Sequence, residues 1–241
     1  MRWLTAIPIY NEAKSVAAVL REVRPHATDL VVVDDGSTDD TPRLLAQETG
    51  LARITHPRNR GYGAALRSAF GYAIAHHYDY LVTMDCDGQH QPDRIAVLLE
   101  QIPDCEMVSG SRYLREFRQD TAAPTDRRFI NQTITSELND RYRLDITDAF
   151  CGFKAYRVSA LADLNISEDG WGMPLEVWVQ AARLGWRIRE IGVPRVYLDP
   201  NRTFGNVLND PATRLAHYRE VIDRADRALM PAVKSSWATC S

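Results

Sequence analysis

Short apolar runs and longer segments of wider apolar spacing take turns along the first hundred residues. Leu4 to Ile9, Leu30 to Val33, Ala52 to Thr55 and the run that begins at Tyr80 each stop at a polar cluster. The run Leu30-Val-Val-Val33 is β-branched and continuous, as in a strand buried on both faces. Between the runs lie segments with helical spacing, from Ala13 to Val23, from the caps at Ser37, Thr38 or Asp39 towards Glu48, and from Ala64 to Ala75. Four strand-then-helix alternations predict an α/β fold with a mostly parallel, Rossmann-like central sheet and helices on both faces.

Beyond the fourth strand the pattern predicts a short helix from Pro92 to Gln101 and a strand ending at Met107-Val-Ser-Gly110. The stretch from Leu114 to Thr125 is polar, has no apolar period and is closed by Pro124, which predicts a mobile loop. A helix from Arg127 to Arg141 follows, then the turn Asp148 to Phe153 into a strand ending near Tyr156. Met173 to Leu184 reads as a helix ended by Gly185, and Trp186 to Ile191 and Val193 to Leu198 as two closing strands. Residues 206–228 form an amphipathic helix, with Val207, Leu208, Leu215, Tyr218, Val221 and Ile222 near one stripe. The chain of 241 residues is read as one domain, 1–241, with a core over 4–205 and a loose tail over 229–241.

Composition narrows the class. Hydrophobic content of 45% and charged content of 25% suit a soluble globular chain, and a net charge of −3 points away from nucleic acid. Cys86, Cys105, Cys151 and Cys240 show no metal-binding spacing and read as free thiols in a reducing compartment. With no signal-like leader and no apolar run of about 20 residues, the expected location is the cytoplasm.

The polar clusters carry the chemistry, because parallel sheets bind ligands at the carboxyl ends of their strands. Glu12 follows the first strand, Asp34 and Asp35 the second, and Asp85 and Asp87 the fourth. Asp85 and Asp87 leave their strand on one side, and a turn at Gly88 can bring Gln89 or His90 back towards them. Two like charges so close suit a hard cation such as Mg²⁺ or Mn²⁺ that also holds a substrate diphosphate; a strand end capping the next helix is the plainer alternative. A dinucleotide enzyme is excluded, since Tyr10-Asn11-Glu12 stands where a glycine-rich phosphate loop would be.

In this order, Ile7-Pro8-Ile9-Tyr10-Asn11-Glu12, Val33-Asp34-Asp35-Gly36-Ser37-Thr38-Asp39, Asn59-Arg60-Gly61-Tyr62-Gly63, Asp85-Cys86-Asp87-Gly88-Gln89-His90 and Gly110-Ser111-Arg112-Tyr113 resemble family 2 glycosyltransferases of the GT-A fold. The likeness is strongest to the catalytic domain of dolichyl- or polyprenyl-phosphate sugar synthases, and Cys151-Gly152-Phe153 and Val193-Pro194 extend it. The resemblance implies an inverting, metal-dependent transfer from a UDP- or GDP-linked sugar. It places Pro8, Tyr10, Glu12, Asp35, Gly63 and Asp85 on the nucleotide-sugar, and Asp85, Asp87 and Gln89 on Mg²⁺ or Mn²⁺.

Asp148, the best acid for the base that a hydroxyl acceptor would need, and Arg112 are the expected catalytic residues, and Arg128 and Arg202 the expected ligands of an acceptor phosphate, since guanidinium groups bind phosphate oxygens in pairs. Glu176, on an apolar helix, is expected to be an internal partner for an arginine. The implied acceptor is a polyprenyl phosphate, reached at the inner face of the membrane with the help of a membrane-protein partner. Gly205-Asn206-Val207 departs from the pattern, because the relatives usually carry a basic residue after this glycine. A soluble or glycan hydroxyl acceptor, or a non-catalytic nucleotide-sugar-binding subunit, are the alternatives.

Overall fold

The computed structural model describes residues 1–198 and 204–229. Seven strands form one sheet: β1 (Trp3–Ile9), β2 (Asp29–Asp34), β3 (Ala52–Thr55), β4 (Tyr80–Thr83), β5 (Met107–Ser111), β6 (Lys154–Arg157) and β7 (Ile188–Gly192), in the order β3-β2-β1-β4-β6-β5-β7. All are parallel except β6, which runs antiparallel between β4 and β5. The helices are α1 (Val16–Val23), α2 (Thr41–Gln47), α3 (Tyr62–Ala75), α4 (Ile95–Gln101), α5 (Thr125–Tyr142), α6 (Val158–Leu161), α7 (Met173–Arg183) and α8 (Pro211–Leu229).

Strand alternation sends side chains into two cores. Leu4 and Ala6 of β1, Val31 and Val33 of β2 and Leu81 of β4 pack with α3, α5, α7 and α8. Ile7, Ile9, Val32 and Val82 pack on the other face with α1 and α4. Both faces are therefore dry, which is why these strands read as unbroken apolar runs rather than alternating ones. The predicted α/β sandwich is the observed one.

Several boundaries differ for physical reasons. Residues 193–198 do not continue the sheet as an eighth strand: Pro194 has no N–H to give a ladder. The C-terminal segment is broken, with a 3₁₀ turn at Asn206–Asn209 before α8. Proline disfavours helix in the residue before it yet suits the first helical position, so Asp210 stays extended and its carboxylate caps the Thr213 N–H at 2.8 Å. Val207, expected on the apolar stripe, is 70% exposed, whereas Tyr218, Val221 and Ile222 are buried.

The segment expected to be a mobile loop is tied to the non-strand segment 193–198 that follows β7. Asp120 accepts the Arg195 N–H at 2.8 Å, Thr121 N donates to the Arg195 carbonyl at 2.8 Å, and Tyr197 N donates to the Thr121 hydroxyl at 2.8 Å. The tail, apart from Leu229, lies outside the described residues, as do Arg202 and Cys240. Cys86, Cys105 and Cys151 are buried.

Candidate active site

In the sheet β1 lies between β2 and β4, so the acids that follow these three strands meet at one edge. After β1 the chain turns sharply, with Asn11 in the left-handed region at φ 54°. Asn11 Oδ1 accepts the Thr38 N–H at 2.8 Å and its own N–H donates to Ser37 Oγ at 2.9 Å, which clips the end of β1 to the loop after β2. Pro8 is buried in register with Val33, Tyr10 is 44% exposed, and Glu12 accepts the Ser15 hydroxyl at 2.6 Å. Tyr10 thus offers its ring to solvent at the mouth of the edge.

Asp35 is 2% exposed and its carboxylate is turned to the chain's own donors. His56 Nδ1 lies 2.6 Å from Oδ1, the Arg60 N–H reaches both oxygens at 3.0 and 3.1 Å, and the Gly61 N–H reaches Oδ2 at 2.7 Å. The glycines around it are there for close approach. A Cβ on Gly36 would lie 2.3 Å from the Arg58 carbonyl carbon, and one on Gly61, at φ 107°, 2.3 Å from the Asp169 carbonyl oxygen. Gly63, expected on the nucleotide, is buried against the Glu168 carbonyl and Met173, where a Cβ would come within 2.5 and 2.6 Å. Its need for glycine comes from α3 packing on residues 168–173.

Asp85 stands just past β4 with both oxygens engaged. Tyr62 O–H donates to Oδ1 at 2.9 Å and His90 Nε2 lies 3.1 Å from Oδ2. Burial first, and the neighbouring Asp85 charge second, push the Tyr62 phenol well above its ordinary pKa, so it stays a donor. Gly152 completes this wall: a Cβ there would sit 2.4 Å from Asp85 Oδ2. Asp87 accepts the Gln89 N–H at 3.0 Å across the turn at Gly88, φ 74°, and so Asp85, Asp87 and Gln89 share one short loop. Among the described residues no three His, Cys, Asp or Glu side chains gather as a metal-binding set. Two carboxylates and an amide are nonetheless the hard, incomplete oxygen set that fits Mg²⁺ or Mn²⁺ when a diphosphate supplies the remaining ligands.

On the far side of the edge, Asp148 is fully buried and Arg112 grips it with Nε at 2.7 Å and Nη2 at 2.9 Å. Asn131 Nδ2 at 2.6 Å and the Arg112 N–H at 3.1 Å add to the grip. Burial would raise this carboxyl, but the Arg112 guanidinium and the other donors more than reverse that and hold it at about 2. Such an acid accepts protons poorly. With Arg112 it forms one fixed pair. Glu190 of β7 backs the pair from below, accepting the Thr147 N–H at 2.8 Å and the Asp148 N–H at 3.2 Å.

Arg128 lies over the Tyr113 ring, 3.8 Å from its centroid, and Arg195 faces the same ring at 5.6 Å. Arg112, Arg128 and Arg195 thereby cluster around one tyrosine. Among the described residues no arginine is paired with Glu176; it accepts the Ser167 and Glu168 N–H groups at 3.0 and 2.7 Å and so holds the loop on which Gly61 and Gly63 pack. His56, Asn131 and Glu190 are site neighbours that residue patterns did not single out, whereas Tyr62 stood in the quoted stretch from Asn59 to Gly63 without a role of its own. Of the first three, Asn131 left a trace, as an amide beside Ile130 on the buried side of α5.

Among the described residues no helix is long and apolar enough to cross a membrane. The fold matches that of glucosyl-3-phosphoglycerate synthase from Mycobacterium tuberculosis, solved with Mn²⁺, UDP and glucosyl-3-phosphoglycerate, with a TM-score of 0.71 at 19% identity over 94% of this chain and 80% of that one. In sequence the chain is 31% identical to an undecaprenyl-phosphate mannosyltransferase of Micrococcus luteus, over 90% of this chain and 94% of the relative. It is 29% identical to a polyprenol monophosphomannose synthase of Mycolicibacterium smegmatis, over 80% and 76%. The sequence profile described as glycosyl transferase family 2 matches residues 5–164, which run from within β1 to past β6 and include the loops bearing Asp35, Asp85, Asp87, Arg112 and Asp148. With that match and the shared fold, the chain belongs to glycosyl transferase family 2.

Proposed function

We propose that this glycosyltransferase moves a hexose from a UDP- or GDP-linked donor to the phosphate oxygen of a polyprenyl phosphate, with inversion at the anomeric carbon. The observation that carries the reading is the state of Asp148. The buried carboxylate on the acceptor side is bound by Arg112 and held at about 2, so it is not a base for a hydroxyl. A phosphate acceptor is anionic at neutral pH and needs no base. Arg112, Arg128 and Arg195 around Tyr113 supply the positive charge to receive it. The named mannosyl-transferring relatives favour a mannose donor.

On the donor side, Tyr10, Glu12 and the turn held by Asp35 line the nucleoside half, and Asp85, Asp87 and Gln89 stand at the diphosphate half. Asp85, Asp87 and Gln89 would hold Mg²⁺ or Mn²⁺ there, and the ion would offset the charge that grows on the departing diphosphate. Tyr62 and His90 fix Asp85 before substrate arrives, so little reorganisation is needed in the transition state. The Arg112–Asp148 pair presents a rigid guanidinium whose Nη1 also reaches the Tyr197 hydroxyl at 3.4 Å. A soluble phosphorylated acceptor shares this anion chemistry.

The test is transfer from radiolabelled GDP- and UDP-hexoses to short-chain polyprenyl phosphate, to the matching dephosphorylated polyprenol and to 3-phosphoglycerate. Product with the polyprenyl phosphate alone is expected. Equal transfer to the polyprenol would refute the base-free reading, and transfer confined to 3-phosphoglycerate would replace the lipid acceptor.

A further inference from the structure

Asp35 is placed to touch a nucleotide, yet its carboxylate has no room for one. An ionised carboxylate has about four lone-pair sites. Four contacts from three donors of the chain occupy them: His56 Nδ1 and the Arg60 N–H on Oδ1, the Arg60 and Gly61 N–H groups on Oδ2. Because a carboxylate can only accept, His56 must carry its proton on Nδ1. Nε2 lies 2.8 Å from Ser68 Oγ on α3, so the serine hydroxyl, which can donate or accept, holds the far edge of the ring in place. His56 is 6% exposed and its N–H donates to the Asp34 carbonyl at 2.9 Å, which holds its backbone as well.

The line Ser68, His56, Asp35 ends on the backbone of Arg60 and Gly61. That turn cannot slide, because Arg58 abuts Gly36 on one side and the Asp169 carbonyl abuts Gly61 on the other. What this turn presents to solvent is the exposed Asn59 and Arg60, beside Asp35, which follows β2. Tyr62, the next residue, hydrogen-bonds Asp85, but it opens α3 and stacks on Trp171, and His90 holds Asp85 from the other side, so a shift of the Asp35 carboxylate should displace the Asn59-Arg60-Gly61 turn before the Asp85 loop.

We propose that His56 is a positioning residue for the nucleoside half of the donor site, acting through Asp35 on the Asn59-Arg60-Gly61 turn, with Ser68 holding its ring. This rests on the reading of the edge as a nucleotide-sugar site. The probes are Mn²⁺-UDP, Mn²⁺-GDP and Mn²⁺-pyrophosphate, titrated calorimetrically into the wild type and three variants. His56→Phe removes the Nδ1–H donor and is expected to weaken the preferred nucleotide about tenfold, the weight of one hydrogen bond to a charged group. Pyrophosphate, which lacks the nucleoside, should bind both proteins equally. His56→Asn, whose amide can donate where Nδ1–H did, should recover most of the loss, and in turnover the defect should fall on the donor KM rather than kcat.

Ser68→Ala, on a half-buried helical site, is expected to keep the fold and to show a smaller loss of nucleotide affinity with unchanged pyrophosphate binding. It carries the test if His56→Phe does not fold. Nucleotide affinity unchanged in both His56→Phe and Ser68→Ala, or pyrophosphate weakened as much as nucleotide, overturns the inference while the transferase reading stands. A wild type that binds neither nucleotide overturns both.

Discussion

Gly152→Ala asks whether the position of Asp85 matters to within an ångström. Gly152 is buried, its φ is not in the left-handed region, and its carbonyl accepts the Thr83 hydroxyl at 2.8 Å, so an alanine backbone fits. The obstacle is the methyl, which would lie 2.4 Å from Asp85 Oδ2 and 2.8 Å from both Asp85 Oδ1 and the Tyr62 hydroxyl. Ordinary contact begins at 3.4 Å, so 3.4 less 2.4 leaves the carboxylate about 1 Å to retreat. Overpacking of this kind costs about 1–3 kcal/mol of stability. A misplacement of about 1 Å at a reacting site can cost about 100-fold in rate, and at about 1.36 kcal/mol per tenfold that is about 2.7 kcal/mol of transition-state stabilisation.

The assay is donor turnover against Mn²⁺ and Mg²⁺ concentration, with thermal unfolding of the same samples. Gly152→Ala should fold, lose about two orders of magnitude in kcat, and need more metal to reach its plateau. Gly71→Ala is the control: nothing lies within 4 Å of its Cβ, and an alanine inside α3 should add about 0.5–1 kcal/mol. Wild-type kcat and metal dependence in a folded Gly152→Ala protein would refute the placement of the metal at Asp85.

Asp87→Ala deletes a carboxylate from the turn at Gly88 without opening a core cavity; transfer should be lost while the melting temperature stays near that of the wild type, read by turnover and calorimetry. Asp148→Asn should cost about 3–5 kcal/mol near neutral pH, because it leaves Arg112 buried opposite a neutral amide. Since the folded Asp148 pKa is depressed from 3.8 to about 2, its contribution is whole above 3.8 and is lost as pH falls through about 2, so denaturant curves of the two proteins should converge there. Anionic liposomes should not be bound through α8, because Arg214, Arg219 and Arg224 are paired with Asp126, Glu137 and Glu168; salt-sensitive cosedimentation abolished by Arg219→Ala would overturn this.

The sequence by itself determined the first half of the fold and the edge where chemistry is placed. Alternation of apolar runs with helical segments is a local signal, and a strand that must stop at a polar cluster advertises its own end, as at Asp34 and Asp85. Asp85, Asp87 and Gln89 share one short loop, so their grouping needed no tertiary knowledge. Only the tertiary structure decided direction and partnership. The reversal of β6 between β4 and β5 sets Gly152 against Asp85, contacts that no local pattern encodes. Asp35 and Asp148 read as open acids because a sequence shows charge but not who neutralises it. His56, Arg60 and Gly61 close around the first, and Arg112, Asn131 and Glu190 around the second, from 17 to 42 residues away. Long-range hydrogen bonds carry no periodicity, and burial, which turns a carboxylate from a ligand into a strut, is a property of the packed chain.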